Sequence, residues 1–180
     1  MNYYYYNIEF HENPSTAAVM HNDAHCIKMI LETAQMLCTA HRQLDQFYYP
    51  NDDGEYVYRK LPEDKLNVLY KSAHVNHPST IWVRSSLQHY QWTFKLFESL
   101  CIEYTYRYGK EHKSDRSLRE VLRNPPMLIE DNGFTQPPQC MPDEYKTECS
   151  IQAYRNYYLG DKQWNSWRSK YTKRAKPTWM

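Results

Sequence analysis

Hydrophobic positions recur at intervals of three and four residues over most of this chain, and that spacing predicts helices. The strongest run lies between Asn22 and Leu44, where Ile27, Ile30, Leu31, Ala34, Leu37, Cys38 and His41 step by three and four. Such a set forms one helix face turned toward a core. Asn22 or Asp23 supplies the side-chain oxygen that caps its first turn. Upstream, Asn13-Pro14 is a start signal for a short first turn through Val19. A second long run carries Tyr90, Phe94, Phe97, Cys101, Tyr104 and Tyr108; Pro78 with Ser79 or Thr80 opens that helix and Gly109 stops it. Ser114 or Asp115 caps a short helix to about Leu122. Thr147 caps a last one, with Ile151, Tyr154 and Tyr158 inward and Gly160 at its end.

Between these runs the turn-forming residues predict irregular chain. Tyr48 to Pro62 reads as a loop built on Pro50 and the Asp52-Asp53-Gly54 turn. Pro125 to Pro142 reads as a proline-rich connector, ordered only if it wraps the surface. Residues 1–12 are an aromatic arm or a short strand, and periodicity does not choose between them. There is no internal repeat. The expected architecture is an irregular all-α single domain over residues 1–180, with two long helices, shorter helices and extended loops. Residues 161–180 form a basic, aromatic C-terminal segment.

Composition agrees with a globular chain: of 180 residues, 41% are hydrophobic and 24% charged. Glycine is scarce, at four, which argues against a glycine-rich phosphate loop. A mean hydropathy of −0.90 without a long apolar run excludes a membrane-spanning helix. The N-terminus MNYYYYNIEF lacks the basic start and apolar core of a signal peptide, so a cytoplasmic protein is expected. Cys26, Cys38, Cys101, Cys140 and Cys149 are odd in number and include no C-x-x-C pair, which fits reduced thiols.

Charge is distributed unevenly. Acids dominate from Met1 to Asp64, where the strong bases are Lys28, Arg42, Arg59 and Lys60. After Gly160, Asp161 is the single acid among Lys162, Arg168, Lys170, Lys173, Arg174 and Lys176, with Trp164, Trp167 and Trp179 interleaved. That segment either meets a polyanion and stacks on bases, or docks its tryptophans into its own core.

Three polar clusters are candidates for chemistry. His25, Lys28, Glu32, Gln35, Thr39 and Arg42 share one side of the first long helix, opposite its apolar run. This stripe is either a solvated face with a Lys28–Glu32 pair or a reactive one. His74, Asn76 and His77 precede Pro78 and suit phosphate, metal or capping. His21 and His25 add an i, i+4 pair with zinc-ligand spacing, but Asp23 breaks the helix between them and no cysteine stands at ligand distance. No metal and no cofactor is therefore assigned. Glu103 and Arg107 lie one turn apart, followed by His112 and Lys113, and tyrosines flank Arg107.

Three stretches resemble one family: HNDAHCIKMILETAQMLCTAHR, HPSTIWVRSSLQHYQWTFKLFESLCIEYTYRYGKEHKS, and MPDEYKTECSIQAYRNYYLGDK with a terminal PTW. In order and spacing they look like the pyrimidine-dimer DNA glycosylases of T-even phage and the longer bacterial and viral proteins similar to them. In that family a D-x-H signal opens the first long helix and a catalytic glutamate lies nine residues after the Asp. Here Asp23-Ala24-His25 and Glu32 occupy those places. The resemblance implies that Glu32 acts at a glycosidic bond, facing a cationic sugar. It also implies that the C-terminal segment grips the strand. The family's nucleophile is the α-amine of an N-terminal Thr, whereas this sequence starts Met1-Asn2-Tyr3. An ordinary lysine, neutral a few times in ~10,000 at pH 7, is a poor replacement, and a carboxylate one turn away favours its ammonium form further. Water is the better nucleophile.

Three readings of function follow. The first is hydrolysis of the N-glycosidic bond of a damaged or modified base. Glu32 is the catalytic carboxylate, with Asp23, His25 and Lys28 around it. His74, His77, Arg84, Arg107, Arg155 and Lys162 contact phosphate or base, and Trp82 or Tyr154 offers a stacking surface for an extruded base. The second is a non-catalytic binder of DNA or a nucleotide on the same surface. A metal-dependent hydrolase on His21, His25, His74 and His77 is a third reading.

Overall fold

Two antiparallel 22-residue helices organise this chain in a computed structural model that describes residues 12–45, 47–50, 56–61, 63–161 and 170–180. The first is α2 (Asp23–Leu44) and the second α5 (Leu87–Tyr108). Asp23 meets Arg107, the Cys26 thiol lies 3.9 Å from the Leu100 carbonyl, and His41 meets Tyr90, so the pair runs in opposite directions. Around them stand α1 (Pro14–Met20), α3 (Glu63–Leu66), α4 (Pro78–Ser85), α6 (Lys113–Arg123) and α7 (Ser150–Asp161). Met29, Ile30 and Leu37 of α2 pack with Leu96, Phe97 and Leu100 of α5, Val83 of α4, and Leu118 and Leu122 of α6. The fold is all-α, as expected. The aromatic arm of residues 1–11 and Lys162, Trp164, Trp167 and Arg168 of the C-terminal segment lie outside the described residues.

The helix starts follow capping chemistry. Asn13 Oδ1 accepts from the Ser15 and Thr16 amides and Asn22 Oδ1 from the His25 amide. Less predictably, His77 and His112 cap α4 and α6: each Nδ1 accepts from the amide two residues on, of Ser79 and Ser114. His112 thus displaces Ser114 and Asp115 as the cap of α6. Gly109 closes α5 in the left-handed conformation, φ +69°.

Three further expectations are corrected. Tyr48 to Pro62 is not all loop: β1 (Phe47–Pro50) and β2 (Tyr56–Lys60) pair antiparallel, and the turn signal sits between two strands rich in aromatics. The long helix from Pro78 is two helices, broken at Ser86 (φ −155°, ψ 145°). The Leu87 amide there donates to the Glu130 carbonyl at 2.8 Å instead of continuing the helical ladder. α7 starts at Ser150 rather than after Thr147, because Gln136 Oε1 accepts from the Ser150 amide at 2.7 Å. Gly160 is the penultimate residue of α7, at its end as expected, and an added Cβ there would meet the Tyr145 ring.

The proline-rich connector wraps the surface. It is held by Met127 N–H to Asp45, Asn132 Nδ2 to the Ser85 carbonyl and Thr135 N–H to His89. Its end carries α7: Ser150 Oγ donates to the Pro137 carbonyl and the Tyr154 hydroxyl to that of Pro138, both at 2.7 Å. Tyr154, Tyr157, Ala153 and Met141 form a small core of their own there.

Candidate functional site

A helix surrounded by other elements has no single wet face, and α2 shows the consequence. The polar stripe expected opposite the core is largely buried: Thr39 fully, Glu32 at 6% and His25 at 7% exposure. Ile27 and Leu31, expected inward, are each 43% exposed and are the exposed residues of α2. They stand one turn apart, beside Lys28 and Glu32.

The two ends of the stripe are occupied by other elements. Thr39 Oγ1 accepts from the Ala73 amide at 3.1 Å. Arg42 donates to the carbonyls of Tyr70, Leu66 and Leu69, fixing the chain after α3. At the other end the Tyr158 hydroxyl of α7 lies 3.2 Å from His25 Nδ1 and accepts from the Asn22 amide. Between these ends Lys28 Nζ sits 3.0 Å from Glu32 Oε1, with side-chain exposures of 38% and 8%. Next to the stripe, Ile27 and Leu31 expose apolar surface beside the half-buried Lys28, while the Glu32 carboxylate paired with that amine is almost fully covered.

Asp23 is placed elsewhere. Its carboxylate accepts from Arg107 Nη1 at 2.9 Å, from the Thr172 amide at 2.9 Å and from the Thr172 hydroxyl at 2.6 Å. Arg107 also donates to Glu103 at 2.7 Å and to the Val19 carbonyl at 3.1 Å. Arg174 forks onto Glu103 at 2.9 and 2.7 Å. Burial pushes both carboxyls up, but the hydrogen bonds from Thr172 and Arg107 on Asp23, and from Arg174 and Arg107 on Glu103, outweigh it and hold both below the ordinary range. This network fastens the C-terminal segment to the start of α2. Asp23 stands nine residues from Glu32, roughly 13 Å along the axis.

Several expected contact residues are committed internally. Arg107, buried with each group of its fork engaged, is not open to a phosphate. Tyr154 is fully buried, so it offers no stacking face. Trp82 stacks on His89 at 4.2 Å and meets Trp92 and Phe134 edge-on, so its ring is covered too. Arg84 donates to the Val75 carbonyl at 2.7 Å. Arg155 lies 5.5 Å from the centre of the Trp179 ring, which itself meets Tyr158. Residues of the C-terminal segment do dock tryptophan into the chain's own body, in the case of Trp179.

The histidines have individual duties. His21 Nδ1 bonds the Ala17 carbonyl at 2.7 Å, and His77 Nδ1 is taken by the Ser79 amide. His74 adopts φ +48° in the turn before α4. Burial and, secondarily, the nearness of His74 push the His77 imidazole below its ordinary range. Among the described residues no cluster of three His, Cys, Asp or Glu side chains is disposed to hold a metal ion. No helix among them is long and apolar enough to cross a membrane.

Compared with known proteins, the chain matches no family model, no curated protein and no solved structure.

Three contributors escaped the sequence. The helical period turns Tyr158 inward without pointing to His25, and Thr172 carries no signal at all. Ile27 and Leu31 fitted the apolar period so well that exposure was the opposite of what it implied.

Proposed function

We propose that the exposed strip of α2 is the reactive surface of an N-glycosidic bond hydrolase, acting on a base in DNA or in a free nucleotide. The observation that carries this reading is Glu32: a nearly buried carboxylate on the helix that exposes Ile27 and Leu31, with Lys28 Nζ 3.0 Å away. A base laid on Ile27 and Leu31 brings its sugar toward Lys28 and Glu32. Water adds its oxygen to the anomeric carbon, the C–N bond breaks with its electron pair on the base, and Glu32 takes the proton that water loses. The carboxylate also faces the positive charge developing on the sugar, and shielding from bulk water strengthens that interaction. The likeness of Asp23-Ala24-His25 and Glu32 to the phage glycosylase pattern supports the same assignment.

A second reading, a binder without chemistry, needs only the exposed Ile27 and Leu31 with Lys28 beside them, and does not require Glu32 to act. A panel of modified oligonucleotides and free nucleotides, analysed by mass spectrometry for released base, separates the two. Under the first reading Glu32→Gln lowers base release at least ~100-fold while binding is retained. Wild-type protein that binds a substrate of the panel yet releases no base leaves the second. Borohydride yields no covalent adduct, because the nucleophile is water.

A further inference from the structure

The His89 ring, 3% exposed, touches two groups whose hydrogen-bonding roles cannot be exchanged. Its Nδ1 lies 2.9 Å from the Trp82 carbonyl oxygen, which can only accept. Its Nε2 lies 2.9 Å from the Thr135 amide nitrogen, which can only donate. One protonation state satisfies both: neutral imidazole with the proton on Nδ1. A second proton sets N–H against N–H at Thr135. The side chains around it reinforce that assignment. Ser85 Oγ donates to the Trp82 carbonyl at 2.8 Å and faces Nδ1 at 3.0 Å, so it accepts there. The Thr135 hydroxyl, 3.1 Å from Nε2, can turn, but its amide cannot.

We propose that His89 is an acid-sensitive tether: neutral, it takes the Thr135 amide of the connector at the junction of α4 and α5, and protonation breaks that bond and loosens the connector there. Thr135 is then left to the longer 3.2 Å bonds from Trp82 Nε1 to its carbonyl and hydroxyl. The consequence extends beyond one residue, because the connector carries α7. Gln136 takes the Ser150 amide, and the Pro137 and Pro138 carbonyls take Ser150 and Tyr154. α7 in turn presents Tyr158 to His25. Loosening at Thr135 therefore propagates to the wall of α2.

Of the charged groups on the elements around the ring, Asp131, Arg84 and Lys95 have other partners, and the Glu130 side chain is exposed. On the connector, Asp131 engages Ser86 and Gln88, while the Glu130 main chain takes the Leu87 amide. On α4, Arg84 holds the Val75 carbonyl, and on α5, Lys95 pairs with Glu98. Trp82, stacked on the ring at 4.2 Å, is the one neighbour that favours an imidazolium, through its π face. Burial acts against the charged form and exceeds the help from the Trp82 carbonyl, which places His89 below its ordinary value of 6.5.

Nitrogen NMR of the full chain tests the tether directly. At neutral pH His89 shows the Nδ1–H tautomer. As pH falls below about 6.5, the hydrogen-exchange protection of the Thr135 amide, corrected for intrinsic exchange, drops about tenfold per pH unit until His89 itself is charged. Thr135→Val removes the hydroxyl and keeps the pH response; His89→Phe abolishes it. Should His89→Phe fail to fold, the wild-type tautomer and protection profile still decide. An Nε2–H tautomer, or a charged His89 with Thr135 protection undiminished, overturns the proposal, as does loss of the pH response in Thr135→Val.

Discussion

Arg107 in the last turn of α5 donates to Asp23 in the first turn of α2 at 2.9 Å, joining the two long helices at one end. The same guanidinium holds Glu103, and Glu103 in turn holds Arg174 of the C-terminal segment. An ion network this deep is sensitive to the loss of one member, since the remaining charges lose their compensation. Arg107→Met is expected to destabilise the protein by about 3 kcal/mol or more, measured by urea unfolding. The acid limb follows from the same geometry. Both carboxyls sit below their unfolded values of 3.8 and 4.5, so their contribution is present above pH 4.5 and is lost as pH falls through the folded values. In Asp23→Asn that limb is shallower, and the C-terminal segment is cut faster by trypsin at Lys170 and Lys173.

At the opposite end of the pair, Asp45 has a comparable task. Its carboxylate meets His41 Nδ1 at 2.6 Å, Lys65 Nζ at 2.7 Å and the Met127 amide at 2.7 Å, while His41 Nε2 meets the Tyr90 hydroxyl at 2.9 Å. Asp45→Ala removes the acceptor for three donors from different elements. The expected loss is about 3–5 kcal/mol, with the start of the connector and α3 exchanging amide protons faster than α5. Equal exchange across the molecule would show that Asp45 is not a local clasp.

Gly160 tests the packing of α7 on its neighbour. An added Cβ would meet the Tyr145 ring, with the hydroxyl oxygen only 2.7 Å away. Gly160→Ala, ordinarily favourable in a helix by roughly 1 kcal/mol, is expected to destabilise instead. Tyr145→Ala in the same chain restores the helical gain, which a double-mutant cycle reads by thermal unfolding.

The five cysteines divide by burial. Burial pushes the Cys26 and Cys38 thiols up to about 12 and drives Cys101 higher still, so none of the three forms thiolate at neutral pH. Cys149 is exposed and Cys140 intermediate. Mass spectrometry after brief iodoacetamide treatment is expected to find Cys149 modified first, and Cys26, Cys38 and Cys101 only after denaturation.

What the sequence by itself determined were the local decisions: a cap for α2 at Asn22 or Asp23 and an extent to about Leu44, the start of α1 after Asn13 and the stop at Gly109. These depend on spacing, side-chain capping and backbone sterics within a few residues, all present in the chain as written. Only the tertiary structure decided which sides of α2 are wet. With α4, α5, α6 and the chain after α3 packed around it, the helical period no longer distinguishes inside from outside, and Ile27 and Leu31 emerge where Glu32 and Thr39 are covered. The break at Ser86 and the start of α7 at Ser150 were likewise set at a distance, by Glu130 and Gln136. A hydrogen bond from a residue dozens of positions away, or from across a loop, has no periodic signature. The candidate site was legible as residue types on one helix; its exposed apolar surface, its depth and its neighbours came from what packed against that helix.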